Sequence, residues 1–267
     1  MSDQAIAPHT KSRRVKRKKV QASDGWTIVT HAEQKGGAGG KIQEDEGLLR
    51  DARVTRMVEG LTVVKMQEDF KKLQARWTET NCAKDFREML GKKKWDVKEA
   101  VCIGIGSFSL DWEHRHRSMW QLVLFLDVVN MASKDPAAIS LYAQEPIFTT
   151  LDESFLKTLH ITVVSNSIET FITDSSFVFA PFVDWHLLLP MFLKNKDPKL
   201  YVGNTILDDY SSYASTEEKQ KAYEECNGLG KSFLQARDAA KIPEFELHAH
   251  ALNGLMAYWK QDNQEEG

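Results

Sequence analysis

The sequence lacks any stretch approaching the roughly 20 uninterrupted apolar residues that a membrane-spanning helix needs. Its N-terminus is polar and then basic, without the apolar centre of a secretory signal. These two absences argue against membrane and secreted classes and predict a soluble, intracellular protein. Cysteine is scarce as well. Cys82, Cys102 and Cys226 are odd in number and no two of them stand in a C-x-x-C spacing. Neither a disulfide framework nor a thiolate zinc site is expected, and a reducing compartment is. The basic run that follows the first ten residues contains no aromatic side chain: Lys11, Arg13, Arg14, Lys16, Arg17, Lys18 and Lys19 oppose only Asp3 in this part of the chain. No basic fold follows it, so nucleic acid is disfavoured as a partner. The run reads as a nuclear-import signal or a solvated tail, giving an expected localisation in cytoplasm and nucleus.

What is present concentrates in the middle. Apolar residues gather between Val101 and Tyr210, which predicts one main core with appendages. Residues 1–47 form a basic and Gly-rich stretch predicted to be disordered, interrupted by a β-favouring patch from Gly25 to Thr30 and a linker-like Gly36 to Gly40. Residues 48–94 read as a helical extension: one long amphipathic helix from Leu48 to about Trp77, then a short one from about Ala83 to Leu90. Within 95–212, five short β-rich runs alternate with helical runs. They are Ala100 to Ile105, Ile139 to Tyr142, Ile161 to Val164, Phe177 to Phe179, and Leu200 to Val202. This alternation predicts an α/β fold, a Rossmann-like parallel sheet of about five strands flanked by helices. The run from about Arg117 to Ala132 is apolar nearly all round, so Leu122, Phe125 and Leu126 are expected to be buried against the sheet; Val183 to Leu193 reads similarly. Residues 213–267 read as a helical C-terminal extension packed on the core, with helices from Thr216 to Asn227 and from about Phe245 to Lys260.

The first strand runs into Gly104-Ile105-Gly106-Ser107-Phe108-Ser109, a turn whose missing side chains would let a phosphate or an adenosine group approach the backbone. The third glycine of a dinucleotide fingerprint is missing. Ser109 takes its place, and the acidic residue at the end of the second strand, Glu145, stands about forty residues on rather than about twenty. The spacing leaves open a site for a nucleotide or S-adenosylmethionine, and equally a glycine turn that only packs the strand on its helix. Methyltransferases also place polar-Pro-aromatic residues after strand four. Here Ala180-Pro181-Phe182 lacks the Asp or Asn, and Cys102 stands where an acidic residue often precedes the glycines. His114, Arg115, His116 and Arg117, expected in the loop after the glycine turn beside Asp111 and Glu113, offer metal ligands or anion contacts. Arg115 and Arg117 are taken as the anion contacts and no metal site is assigned. Ser107 lacks the G-x-S-x-G turn of a hydrolase nucleophile.

Four distributed motifs resemble the sensitivity-to-red-light-reduced, or SRR-like, family. They are Gly104 to Ser109, then Arg117-Ser118-Met119-Trp120-Gln121-Leu122, then Glu145-Pro146-Ile147-Phe148-Thr149 with Asp152, and Val202-Gly203-Asn204-Thr205 with Tyr210. The family usually carries Asp where this chain has Glu145, and Pro-His-Cys where it has Pro181-Phe182-Val183. The resemblance, to a fungal-type member, implies a regulatory protein with protein partners. It is linked to circadian or light signalling in plants and to haem-synthesis regulation or cytoskeletal phenotypes elsewhere, without an established reaction. The expected ligand-binding set is Gly104, Gly106, Ser107, Ser109, Glu145 and Pro181, sharing a crevice at the carboxyl ends of the strands, with S-adenosylmethionine or a nucleotide as candidate ligand. Gly106→Val is expected to abolish binding and spare the fold.

Overall fold

The computed structural model describes residues 17–21, 27–31, 56–93, 95–110, 112–235 and 237–261. The chain divides into two compact units, 1–55 and 56–267. In the first, β1 (Arg17–Gln21) pairs antiparallel with β2 (Thr27–His31), in register from Arg17↔His31 to Gln21↔Thr27. Strand β1 departs from the expectation of a disordered tail, whereas β2 falls on the β-favouring patch read from Gly25 to Thr30; the other residues of 1–47 lie outside the described set.

The second unit begins with an extended segment whose Met57 bridges Leu110 and whose Val58 N–H donates to the Ser109 carbonyl (2.9 Å). The expected long helix therefore starts late: Gly60 turns with φ of 65°, and Thr62 Oγ1 caps α1 (Val63–Glu79) by accepting from Lys65 N–H. The part of that expectation before residue 56 lies outside the described residues. Met66, Phe70 and Trp77 form the buried face of α1. Thr80 ends α1, its N–H donating to the Trp77 carbonyl, and its hydroxyl caps α2 (Asn81–Gly91) by accepting from Ala83 N–H at 3.1 Å.

The sheet follows. Strands β3 (Glu99–Ile103), β4 (Ser140–Gln144), β5 (Ile161–Val163), β6 (Ser176–Ala180) and β7 (Leu200–Gly203) are all parallel, as the alternation of runs predicts. Between β3 and β4 lies α3 (Trp112–Met131), which begins earlier than expected and places His114 to Arg117 on a helix rather than in a loop. Leu122 and Phe125 are fully buried and Leu126 half-buried; the Phe125 ring stacks on Phe177 of β6 at 5.6 Å. The connection from β4 to β5 is α4 (Thr150–Thr158). After β6, one α-turn, α5 (Trp185–Leu187), widens into a π-helix over Leu188–Leu193, where Pro190 has no N–H for a regular ladder. Helix α6 (Glu217–Leu234) packs on the β7 side so closely that a Cβ at Gly230 would run into the Leu207 carbonyl.

The C-terminal segment departs from the helical reading. Strand β8 (Arg237–Lys241) and the short α7 (Ala249–Leu252) precede β9 (Met256–Lys260), which lies antiparallel between β7 and β8. Gly254, with φ of 91°, breaks what was read as one helix, and Met256 to Lys260 becomes a strand instead. The sheet thus has seven strands in the order β5-β4-β3-β6-β7-β9-β8. Among the described residues no helix is long and apolar enough to cross a membrane.

Candidate functional site

Strand register brings the dispersed motifs together. Ile103 pairs with Gln144, Cys102 with Phe179, and Ala180 with Gly203. Continuing these registers, one residue beyond the Ile103–Gln144 and Ala180–Gly203 pairs and two beyond Cys102–Phe179, puts Glu145, Gly104, Pro181 and Asn204 in one row across β4, β3, β6 and β7, at the carboxyl ends of the strands. Gly104 N–H still donates to the Gln144 carbonyl (3.1 Å), so the ladder reaches the row. Gly104 and Gly106 then turn the chain away with φ of 72° and 80°, a region open to glycine at little cost.

The Gly106 amide and the Ser107 and Ser109 hydroxyls of this turn are bonded within the protein itself. Gly106 N–H donates to Glu145 Oε2 (2.9 Å), and Ile147 N–H donates to Oε1 (3.3 Å). Burial pushes the Glu145 carboxyl up to about 6, against the pull of those two amides and of the Arg117 charge, with Asp152 adding to the rise. Asp152, fully buried, fastens the rest. It accepts from Ser107 Oγ (2.6 Å), Phe108 N–H (3.0 Å) and Thr149 N–H (2.9 Å). Thr149 Oγ1 accepts from Asp152 N–H and meets Ser109 Oγ at 2.7 Å, so the capping box that starts α4 also holds the glycine turn. Ser107 Oγ accepts in turn from Ser109 and Leu110 N–H. Phe108 is buried against Phe148 and Phe155. Ser107 and Ser109, expected to face a ligand, are both buried within this network.

On the other side of Gly104 the turn after β6 is clamped by Asn204, whose Oδ1 accepts from Phe182 N–H (3.0 Å) and whose Nδ2 donates to the Val183 carbonyl (2.7 Å). Phe182 has φ of 58° and remains 44 % exposed. A Cβ at Gly203 would approach the Ala180 carbonyl to 2.6 Å, which accounts for the glycine beside Asn204. The Tyr210 hydroxyl closes its own loop by accepting from Leu207 N–H, and its ring stacks on Trp185.

The two arginines separate. Arg115 is only 1 % exposed and is ion-paired to Asp69 of α1 at 2.8 Å, so its charge is met inside the protein. Arg117 is half-buried and acts electrostatically on Glu145. Burial and the Arg115 charge hold His116 below the ordinary histidine range. Cys102, buried beneath the turn, is pushed well up by burial and by Glu145. Among the described residues no group of three or more His, Cys, Asp or Glu is placed to hold a metal ion. An open cleft of about 410 Å³ lies elsewhere, lined by the junction of α1 and α2, including Arg76, Glu79 and Cys82, and by Glu244, Glu246 and Leu247; it includes none of the predicted site residues.

Sequence reasoning did not assign Asn204, Thr149 or Asp152 to the site. Thr149-x-x-Asp152 carried a readable signal as a capping box, whereas the Asn204 clamp, which joins residues more than twenty apart, had none.

No curated protein matches the chain. Solved structures similar to it include MycE methyltransferase from the mycinamycin biosynthetic pathway in complex with Mg and SAH, at 14 % identity and a TM-score of 0.35, covering 74 % of this chain and 56 % of that one. Cofactor-bound Rv0187 from MTB is 10 % identical with a TM-score of 0.35, over 83 % of this chain and 100 % of that one. M. jannaschii TYW2 in complex with AdoMet is 11 % identical with a TM-score of 0.30, over 68 % and 78 %. Likenesses of this size say nothing about activity. The family profile described as SRR1 domain matches residues 67–259, more widely than the expected 95–212, so that most of α1, all of α2 and most of the closing hairpin lie within it. With that match over more than half its length, the chain belongs to the SRR1 domain family.

Proposed function

We propose that this chain is an SRR-like regulatory protein that works by binding rather than by catalysis. The observation that carries the reading is the family match over 67–259. The glycine turn supports it: the Gly106 amide and the Ser107 and Ser109 hydroxyls, which would hold a phosphate, are bonded to Glu145, Asp152 and Thr149. The regulatory role is the one the family resemblance implies, in light or circadian signalling or in control of haem synthesis, exercised with protein partners in cytoplasm and nucleus. The basic run at Lys16 to Lys19 supplies the import signal in this reading.

Two measurements test it. Deleting the chain from its host should alter light-entrained transcript rhythms or haem-synthesis transcripts, with restoration by the full chain, and alanine at Lys16, Lys18 and Lys19 should lower nuclear accumulation of a tagged copy. The purified chain should transfer no methyl group from S-adenosylmethionine to any host extract fraction. Turnover there would replace this reading with that of a methyltransferase-like enzyme.

A further inference from the structure

Strand order locates a second property of the same row of strand ends. From β3 the chain winds outward to β4 and β5, then crosses back to β6 and β7 on the other side. The topological switch point therefore lies between β3 and β6, and ligands of open α/β sheets bind outside the carboxyl ends of the strands there. Gly104 and Gly106 follow one of these strands and Phe182 follows the other.

Phe182 is an expensive residue at that place. A bulky side chain with φ of 58° is backbone strain that glycine would avoid, and 44 % of the residue is left exposed. Asn204 nonetheless fixes the backbone on both sides of the residue. Between this ring and Glu145, two strand spacings away or about 10 Å, stand Gly104 and Gly106, both partly exposed, with the Ile105 side chain buried between them. A carboxylate has about four acceptor positions, and the Gly106 and Ile147 amides occupy two of those on Glu145.

We propose that Phe182 is the stacking surface of a ligand site at the switch point. The site takes a planar, uncharged or cationic nitrogen heterocycle that lies over Gly104–Gly106 and donates to Glu145. The inference rests on the reading of the chain as a binding protein and names the class of ligand. The Gly106 amide, already bonded to Glu145, is not open to an anionic ligand.

The test uses the full chain and adenosine as the probe, with AMP as its anionic counterpart, followed by calorimetry and ligand-observed NMR. Wild type should bind adenosine, and AMP at least tenfold more weakly. Phe182→Gly should weaken adenosine at least tenfold while keeping a single cooperative unfolding transition, because glycine accepts a φ of 58°. Phe182→Tyr should bind within threefold of wild type. Adenosine that fails to bind wild type at millimolar concentration, binds Phe182→Gly equally well, or binds more weakly than AMP would overturn the proposal. Methyl transfer from S-adenosylmethionine together with Phe182-dependent binding would end the regulatory reading and leave the stacking site standing.

Discussion

Replacing Glu145 with glutamine isolates the cost of the carboxylate that holds the glycine turn. Its carboxyl titrates at about 6 in the fold against an ordinary 4.5. A shift of that size corresponds to about 2 kcal/mol, at about 1.4 kcal/mol per pH unit. The unfolded chain releases this proton first, so the folded protein binds more protons between pH 4.5 and 6. The stability this group contributes is fully present below pH 4.5 and is lost as pH rises through about 6. Glutamine stays neutral throughout. Its carbonyl can keep the Gly106 bond, but its NH2 cannot accept from Ile147, a loss of about 1 kcal/mol. Glu145→Gln should therefore be more stable than wild type by about 1 kcal/mol at pH 7.5 and lose that advantage at pH 4, the difference between the two proteins changing by about 2 kcal/mol. Urea unfolding of both proteins at several pH values measures it, and titrations common to both cancel. Parallel profiles, agreeing within about 0.5 kcal/mol across the range, would show that the two amides and Arg117 outweigh burial and that the carboxyl is not raised.

Three further substitutions test the layers around this site. Phe125→Ala removes a ring stacked on Phe177 and should cost about 3 to 5 kcal/mol in urea unfolding; a loss under about 1 kcal/mol would place α3 outside the core. Asp152→Ala leaves Ser107 and the Phe108 and Thr149 amides without their acceptor and should cost about 3 kcal/mol, whereas a near-neutral result would mean that water replaces the carboxylate. Gly106→Val should destabilise by about 2 to 4 kcal/mol, because φ is 80° and a Cβ would meet Ser118 Oγ at 2.9 Å. That corrects the expectation of a spared fold. Adding Ser118→Gly should recover part of the Gly106→Val loss, and a Gly106→Val protein as stable as wild type would contradict the geometry.

The parallel strands were legible because each is a short apolar run bounded by breakers, and a strand covered on both faces needs no alternation. The same property hid β9. Met256 to Lys260 is buried along its centre, and with Leu252 and Leu255 it reads as a helical stripe unless Asn253-Gly254 is taken as a stop. The glycine turn and Glu145 were legible as a pair, and register sets Glu145 next to Gly104. Their bonding partners were not, because a G-x-G spacing reports where side chains are missing and not which groups fill the space. Arg115 shows the same limit. It reads as an anion contact among His114, His116 and Arg117, yet its partner Asp69 lies 46 residues earlier on another helix. No local pattern announces such a pair.

The position of β9 has a consequence for how the protein is made. β7 is complete at Gly203, but the strand that covers its edge begins only at Met256, after β8 has already been synthesised. At about 5 to 20 residues per second, a nascent chain carries β7 as a bare edge for roughly 3 to 10 s, while β8 waits with no neighbour to pair with. During that interval the growing sheet offers open backbone to any passing strand. A ribosome pausing in this stretch exposes an aggregation-competent intermediate, and chains released before Met256 retain it permanently.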